Sequence, residues 1–342
     1  MPHPILHSLK LRKQDITILH GIHWVARGIL QSQDYKWELR RTGETKLGYW
    51  RKTLRKRNSR SAYPKRFVLI PGFGDTPLSW QGVITLLTPV LKLHFDEVIL
   101  FDFPGFGGFL SRERSFPSLD LMMTSLNDTL DSLKPHTILG HSLGGWLAAH
   151  YASLCGEGVR PTANKLNYSG PKKVLLANPS GIFPSLEVRN VWENIFRDAM
   201  VEGFKSIGPH LFAKKPFWFG LLSTHFNEFL SKDDILQFMK SFREDHCLDR
   251  AVEKIQSDVW LIWGEKDTLV PASCAPAWLQ HLSHSRKNQH HSVLIKDAGH
   301  SPHLEKPAVT AAVIGQILYE KTPHRYGRRW WKVPSREAHI IR

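Results

Sequence analysis

TILGHSLGGWLAAHYA, residues 137–152, decides the fold. The apolar run Thr137-Ile138-Leu139 reads as a buried strand. Trp146 to Ala152 reads as a helix. Between them, Gly140-His141-Ser142-Leu143-Gly144 leaves no room for a relaxed loop. A strand that turns this sharply into a helix pushes one serine into a strained, exposed position, and only small neighbours let the backbone bend so tightly. The five residues alone would recur by chance. The strand before and the helix after give them meaning.

A serine hydroxyl attacks poorly until a base takes its proton. If Ser142 is a nucleophile, a histidine and a carboxylate should follow, each just after a strand. Asp258-Val-Trp-Leu-Ile-Trp263 is an apolar strand that runs into Gly264-Glu265-Lys266-Asp267. Ser292-Val-Leu-Ile295 is another, and it runs into Asp297-Ala298-Gly299-His300. The chain order is therefore Ser142, Asp267, His300. Glu265 competes with Asp267, and His303 competes with His300. His303 is expected to open the last helix, whereas His300 sits in the loop.

Working outward, Tyr35 to Arg40 alternates as a strand, and Leu47 to Thr53 returns after a turn at Thr42-Gly43-Glu44, a hairpin. Lys52 to Arg66 is a basic connector. Phe67-Val-Leu-Ile70 is a buried strand that ends in Pro71-Gly72-Phe73-Gly74. Pro77 to Lys92 has helical spacing, with Trp80, Val83, Leu87, Val90 and Leu91 inward and Pro89 as a possible kink. Val98 to Phe101 is a strand, Leu119 to Leu133 a helix, and Lys173 to Ala177 a further strand closed by Asn178-Pro179. Strands alternating with helices predict an α/β fold, a mostly parallel, doubly wound sheet covered on both faces. The segment 183–256 breaks the rhythm with helical, aromatic-rich stretches and no clear strand.

In order and spacing, Gly-His-Ser-Leu-Gly-Gly, Trp-Gly-Glu-Lys-Asp-Thr-Leu-Val-Pro and Gly-His-Ser-Pro-His-Leu-Glu-Lys-Pro resemble the α/β-hydrolase family, over roughly residues 35–320. Among its members they look most like carboxylesterases and monoacylglycerol-lipase-like enzymes. The resemblance implies a core at 35–182 and 257–322 and a helical lid at 183–256. It implies Ser142 as nucleophile, His300 as base and Asp267 as the orienting acid. Some members carry the acid after the preceding strand, where this chain has Asn178. The oxyanion donors would be the backbone N–H groups of Leu143 and Phe73. The family often has His-Gly before the second donor, and this chain has Pro71-Gly72, which lacks that bracing side chain.

A serine nucleophile argues against dehalogenase and epoxide-hydrolase chemistry. The expected activity is cleavage of a small-molecule acyl ester through an acyl-enzyme. The rivals are a C–C bond hydrolase with the same triad and a silent hydrolase-fold protein that binds a ligand or a membrane.

Composition bounds the rest. The 342 residues, 42% hydrophobic, are enough for one large domain and an insertion. Three cysteines without a CxxC pair read neither as a disulfide framework nor as a zinc site, and they fit a reducing, cytoplasmic compartment. Asp102-Phe-Pro-Gly-Phe-Gly-Gly fails the dinucleotide pattern at Leu110, and there is no Walker loop and no HExxH. The reading therefore calls for no cofactor and no metal. The net charge of +15 sits at the ends: residues 1–66 carry +12, residues 321–342 carry +6, and the remainder −3. The basic extension 1–34, with helical spacing from Asp15, and the tail 323–342, with Arg325-Tyr-Gly-Arg-Arg-Trp-Trp-Lys332, would suit the surface of an anionic membrane. Solvated ends are the plainer alternative. Nucleic acid is a weaker reading, since no binding motif accompanies the charge.

Overall fold

The computed structural model describes residues 25, 27–42, 45–55, 63–106, 115–158, 168–217, 219–284, 290–319 and 337–341. The hairpin turn at Gly43 and Glu44, the N-terminal extension up to residue 24, the connector at 56–62 and residues 320–336 of the tail lie outside the described residues.

β1 (Lys36–Thr42) and β2 (Thr45–Thr53) pair antiparallel as the expected hairpin. β3 (Arg66–Ile70), β4 (Glu97–Asp102), β5 (Thr137–His141), β6 (Lys173–Ala177), β7 (Asp258–Gly264) and β8 (His290–Ile295) run parallel to one another. A ninth strand, β9 (Ala338–Ile341), pairs antiparallel with β8. The sheet order is β1-β2-β4-β3-β5-β6-β7-β8-β9. The end of the chain, expected as a tail, thus returns to the sheet as an edge strand.

The central strands are continuous apolar runs because helices cover both of their faces. The described helices include α1 (Gln81–His94), α2 (Leu119–Leu133), α3 (Leu143–Glu157), α4 (Leu186–Glu202), α5 (Phe204–Ile207), α6 (Phe219–Leu230), α7 (Asp233–Lys240), α8 (Cys274–Leu282), α9 (Pro302–Glu305) and α10 (Pro307–Tyr319). β3 shows the division. Phe67 and Leu69 pack with Val83 and Leu87 of α1 and Ile314 of α10. Val68 and Ile70 pack with Leu126 of α2 and Leu147 of α3. All are fully or almost fully buried, and each such side chain stabilises the fold by about 1.5–3 kcal/mol relative to exposure. α1 begins at Gln81, four residues later than its spacing suggested, because Thr76 to Trp80 are held in turns by Ser79 N–H donating to the Thr76 carbonyl.

Helices α4 to α7 lie between β6 and β7, where the strand rhythm breaks. They are tied down on two sides. Trp146 Nε1 of α3 donates to the His246 carbonyl at 2.9 Å, and Arg243 Nη1 meets Asp120 Oδ2 of α2 at 2.8 Å. On the other side, Ala213 N–H donates to Glu305 of α9 at 2.7 Å. No described helix is long and apolar enough to cross a membrane.

Candidate active site

Ser142 stands between β5 and α3 with φ 52° and ψ −117°. This is the left-handed region, which costs a residue with a side chain on the order of 1–3 kcal/mol. The surrounding glycines explain why the turn has no other form. A Cβ on Gly140 would lie 2.2 Å from the Gly144 carbonyl oxygen, and one on Gly144 would lie 2.2 Å from that of Ile70. The start of α3 therefore crosses β3 and the end of β5 in backbone contact. Ser142 N–H donates to Ala177 O at 2.9 Å, and Trp146 N–H to Ser142 O at 3.0 Å, which starts the helix.

Asp267 and His300 meet directly: His300 Nδ1 lies 2.8 Å from Asp267 Oδ2, with both side chains buried. The carboxylate is saturated. Asn178 Nδ2 also donates to Oδ2, at 2.7 Å, while Leu269 and Val270 N–H donate to Oδ1 at 2.9 Å each. An ionised carboxylate only accepts, so His300 carries its proton on Nδ1 and keeps the Nε2 lone pair. Glu265 takes no part. It accepts from Asp297 N–H at an exposed position. His300 is tied to the serine turn through the neighbour of Ser142: His141 Nε2 donates to the His300 carbonyl at 2.8 Å. No direct hydrogen bond joins Ser142 Oγ to His300 among the described residues.

Phe73 and Leu143 line one cavity with Ser142, and neither of their amides is taken by a backbone carbonyl among the described residues. The brace that Pro71-Gly72 lacks comes from Phe73 itself. Its ring packs against Phe229 and Phe106 at 4.9 and 5.2 Å, and stacks on Phe238 at 6.0 Å. The cavity measures about 380 Å³. Its walls carry Trp146, Trp192, Phe196 and Met239, all apolar. Three arginines also line it: Arg189 meets Glu193 at 2.8 Å, Arg243 meets Asp120, and Arg197 donates to Asn194 Oδ1 at 2.8 Å.

A sequence profile of the Alpha/beta hydrolase family matches residues 67–313. The chain belongs to the alpha/beta hydrolase family. It is an enzyme of that family, with the expected fold. It is 26% identical over 291 residues to the biotin biosynthesis bifunctional protein BioHC of Teredinibacter turnerae, covering 78% of this chain. The chain spans about half the length of that curated relative, 47% of it. A membrane phospholipase A described as a bacterial virulence factor superposes with TM-score 0.63 at 19% identity, over 90% of this chain and 91% of its own. A thermophilic esterase from Thermogutta terrifontis superposes with TM-score 0.59 at 16% identity, over 84% and 98% respectively. At these identities the two structures support the hydrolase fold alone.

Within this alpha/beta hydrolase, two features escaped the sequence reading. Asn178, noticed only as a missing carboxylate, is a hydrogen-bond donor to Asp267 and takes a left-handed φ of 46° to reach it. Asp75, half-buried, and the buried His141 and His303 form a cluster beside the serine turn, with donor atoms all within 4.8 Å of one another. Their only signals in the chain were a histidine before the serine, another three residues after His300, and an aspartate in the loop after β3. No linear pattern joins them.

Proposed function

We propose that the protein is a serine hydrolase that cleaves carboxylic acyl esters through an acyl-enzyme. The observation that carries the reading is the buried Asp267–His300 pair beside a serine held at φ 52° in its turn. Ser142 Oγ attacks the ester carbonyl while His300 Nε2 takes the hydroxyl proton. The tetrahedral oxyanion is held by the amides of Phe73 and Leu143. His300 returns the proton to the departing alkoxide, which leaves as the alcohol. Water, deprotonated by the same imidazole, then splits the acyl-enzyme and frees the acid. Asp267 stabilises the transient imidazolium and fixes its tautomer.

The apolar cavity suits an acyl or aromatic group of small to medium size. Residues 183–256, as a helical lid, would contribute Trp192 and Phe196 to its wall. A fluorophosphonate probe tests the nucleophile. Labelling of the native chain and none of Ser142→Ala supports it, and equal labelling of both refutes it.

The insertion also exposes Phe217 completely, next to exposed Lys214 and Lys215. Together with the basic ends, this favours a working position on an anionic lipid surface. Co-sedimentation with anionic liposomes should fall when both ends are trimmed. Unchanged sedimentation would remove this part of the reading.

A further inference from the structure

None of Asp75, His141 and His303 lines the cavity, yet the three side chains converge just beside Ser142. Asp75 sits in the loop between β3 and α1, His141 ends β5, and His303 lies in α9. Asp75 Oδ2 is 3.8 Å from His141 Nδ1 and 3.7 Å from His303 Nε2. Among the described residues, no hydrogen bond satisfies any of these three atoms. The histidines are sealed in, His141 at 4% and His303 at 2% exposure.

The protonation pattern follows from the neighbours. His141 Nε2 faces the His300 carbonyl, which can only accept. In the neutral ring the proton therefore sits on Nε2 and Nδ1 offers a lone pair toward Asp75. His303 is buried beside them. Its plane is set by Trp80, stacked on it at 4.2 Å and 3°. Thr76 N–H donates to Asp75 Oδ1 at 2.8 Å, so that oxygen is satisfied and Oδ2 is the one facing the rings. A carboxylate oxygen of Asp75 and the Nδ1 of His141 thus face each other, with His303 Nε2 beside them. One carboxylate and two imidazoles converging in this way form a donor set for a cation.

We propose that Asp75, His141 and His303 hold one divalent transition-metal ion of the zinc class. Donor atoms around a tetrahedral zinc with bonds of about 2.0–2.1 Å stand roughly 3.3–3.5 Å apart. The two distances to Asp75 Oδ2, 3.7 and 3.8 Å, need a closure of only a few tenths of an ångström, and the two histidine nitrogens, within 4.8 Å of each other, draw together by rotation of their rings. Two imidazoles and one carboxylate suit zinc or cobalt better than magnesium or calcium, which prefer oxygen donors. His141 already makes the outer hydrogen bond that orients metal-bound imidazoles. The ion would clamp three segments: the loop that carries Phe73, the serine turn, and the helix that follows His300. Its role is structural, and it stands apart from the hydrolytic proposal.

The test uses the full chain, stripped with a chelator and titrated with cobalt(II). The expected result is one cobalt per chain by elemental analysis, with a saturable visible absorption band that zinc abolishes. Ser142→Ala should bind identically, so failed catalysis and failed metal binding remain distinguishable. His303→Phe, which keeps the ring on Trp80, and Asp75→Asn, which keeps its shape, should each weaken binding at least tenfold. Zinc should raise the melting temperature of the native chain and not that of His303→Phe. No saturable band in the native chain would overturn the proposal and leave the cluster as an imidazolium–carboxylate pair. Equal affinity in the native chain and both variants would overturn it too, by moving the ion to surface histidines.

Discussion

Asn178 and His300 share one oxygen: both donate to Asp267 Oδ2, at 2.7 and 2.8 Å. The amide thus occupies the place after β6 where a carboxylate would compete for the imidazole, and it supports the carboxylate after β7 instead. Replacing Asn178 by Ala removes one of four hydrogen bonds to Asp267. The expected cost is about 1–1.5 kcal/mol of transition-state stabilisation, or roughly tenfold in kcat, with KM little changed. Asp267→Asn should cost far more, on the order of 10⁴ in kcat, because an amide can donate and so no longer enforces the Nδ1–H tautomer. Ester hydrolysis by the two variants measures both. An Asn178→Ala enzyme as slow as Asp267→Asn would mean that the amide does more than position the acid.

How much of this was legible beforehand depended on how local the determinant is. The turn at Ser142, the strands before Asp267 and His300 and the hairpin at 36–53 are written in contiguous residues, and the chain shows them directly. Asn178 acts through Asp267, 89 positions away, and the Asp75 cluster needs a loop, a strand end and a short helix to meet. Such convergence has no periodicity to detect. β9 was missed for a related reason. Four residues, Ala338-His-Ile-Ile341, become a strand only because the edge of β8 offers unpaired backbone groups opposite them.

The glycine at 144 should be irreplaceable. A Cβ there would lie 2.2 Å from Ile70 O and 2.5 Å from Pro71 O, both backbone atoms that cannot rotate aside. Gly144→Ala should therefore destabilise by about 3 kcal/mol or more, beyond ordinary overpacking, because the start of α3 must move off the end of β3 to accept it. Gly158, with no atom of the described residues within 4 Å of its Cβ position, supplies the contrast. Its φ of 68° alone should make Gly158→Ala cost only about 1 kcal/mol. Urea unfolding of both variants checks the difference, and equal midpoints would contradict the backbone contact.

The wall of the cavity should set acyl length. Trp192 lies against Phe196 at 4.8 Å and Phe183 at 5.3 Å, all on the insertion side. Trp192→Ala would open space that a longer chain can fill. Each methylene buried there contributes about 0.8 kcal/mol, so two should shift kcat/KM by roughly tenfold in favour of the longer ester. A series of p-nitrophenyl esters reads this directly. If the preferred length stays the same in the variant, Trp192 does not bound the acyl site.

Acid should weaken the fold through His136, which precedes β5. Burial, then the cations of Lys65, Lys172 and Lys173, hold its imidazole down at about 4, against 6.5 in a free side chain. Its Nδ1 meets Thr137 Oγ1 at 3.2 Å, and its ring lies edge-on to Phe95. The folded pKa is the lower one, so the sign is definite. Above pH 6.5 neither state binds the proton and the stability is complete. Between 6.5 and about 4 only the unfolded chain takes it up, and stability falls with pH across that window. The full gap corresponds to about 3 kcal/mol, and the residual exposure of the ring reduces the expected effect to about 1–2. Other half-buried histidines, His94 and His290 among them, are shifted the same way, so the readout is a difference between chains. Urea midpoints of the native chain and His136→Gln, taken at pH 7 and pH 4.5, should converge or cross as pH falls, because the variant has no proton to exclude. Parallel loss in both would show that His136 titrates freely in the fold.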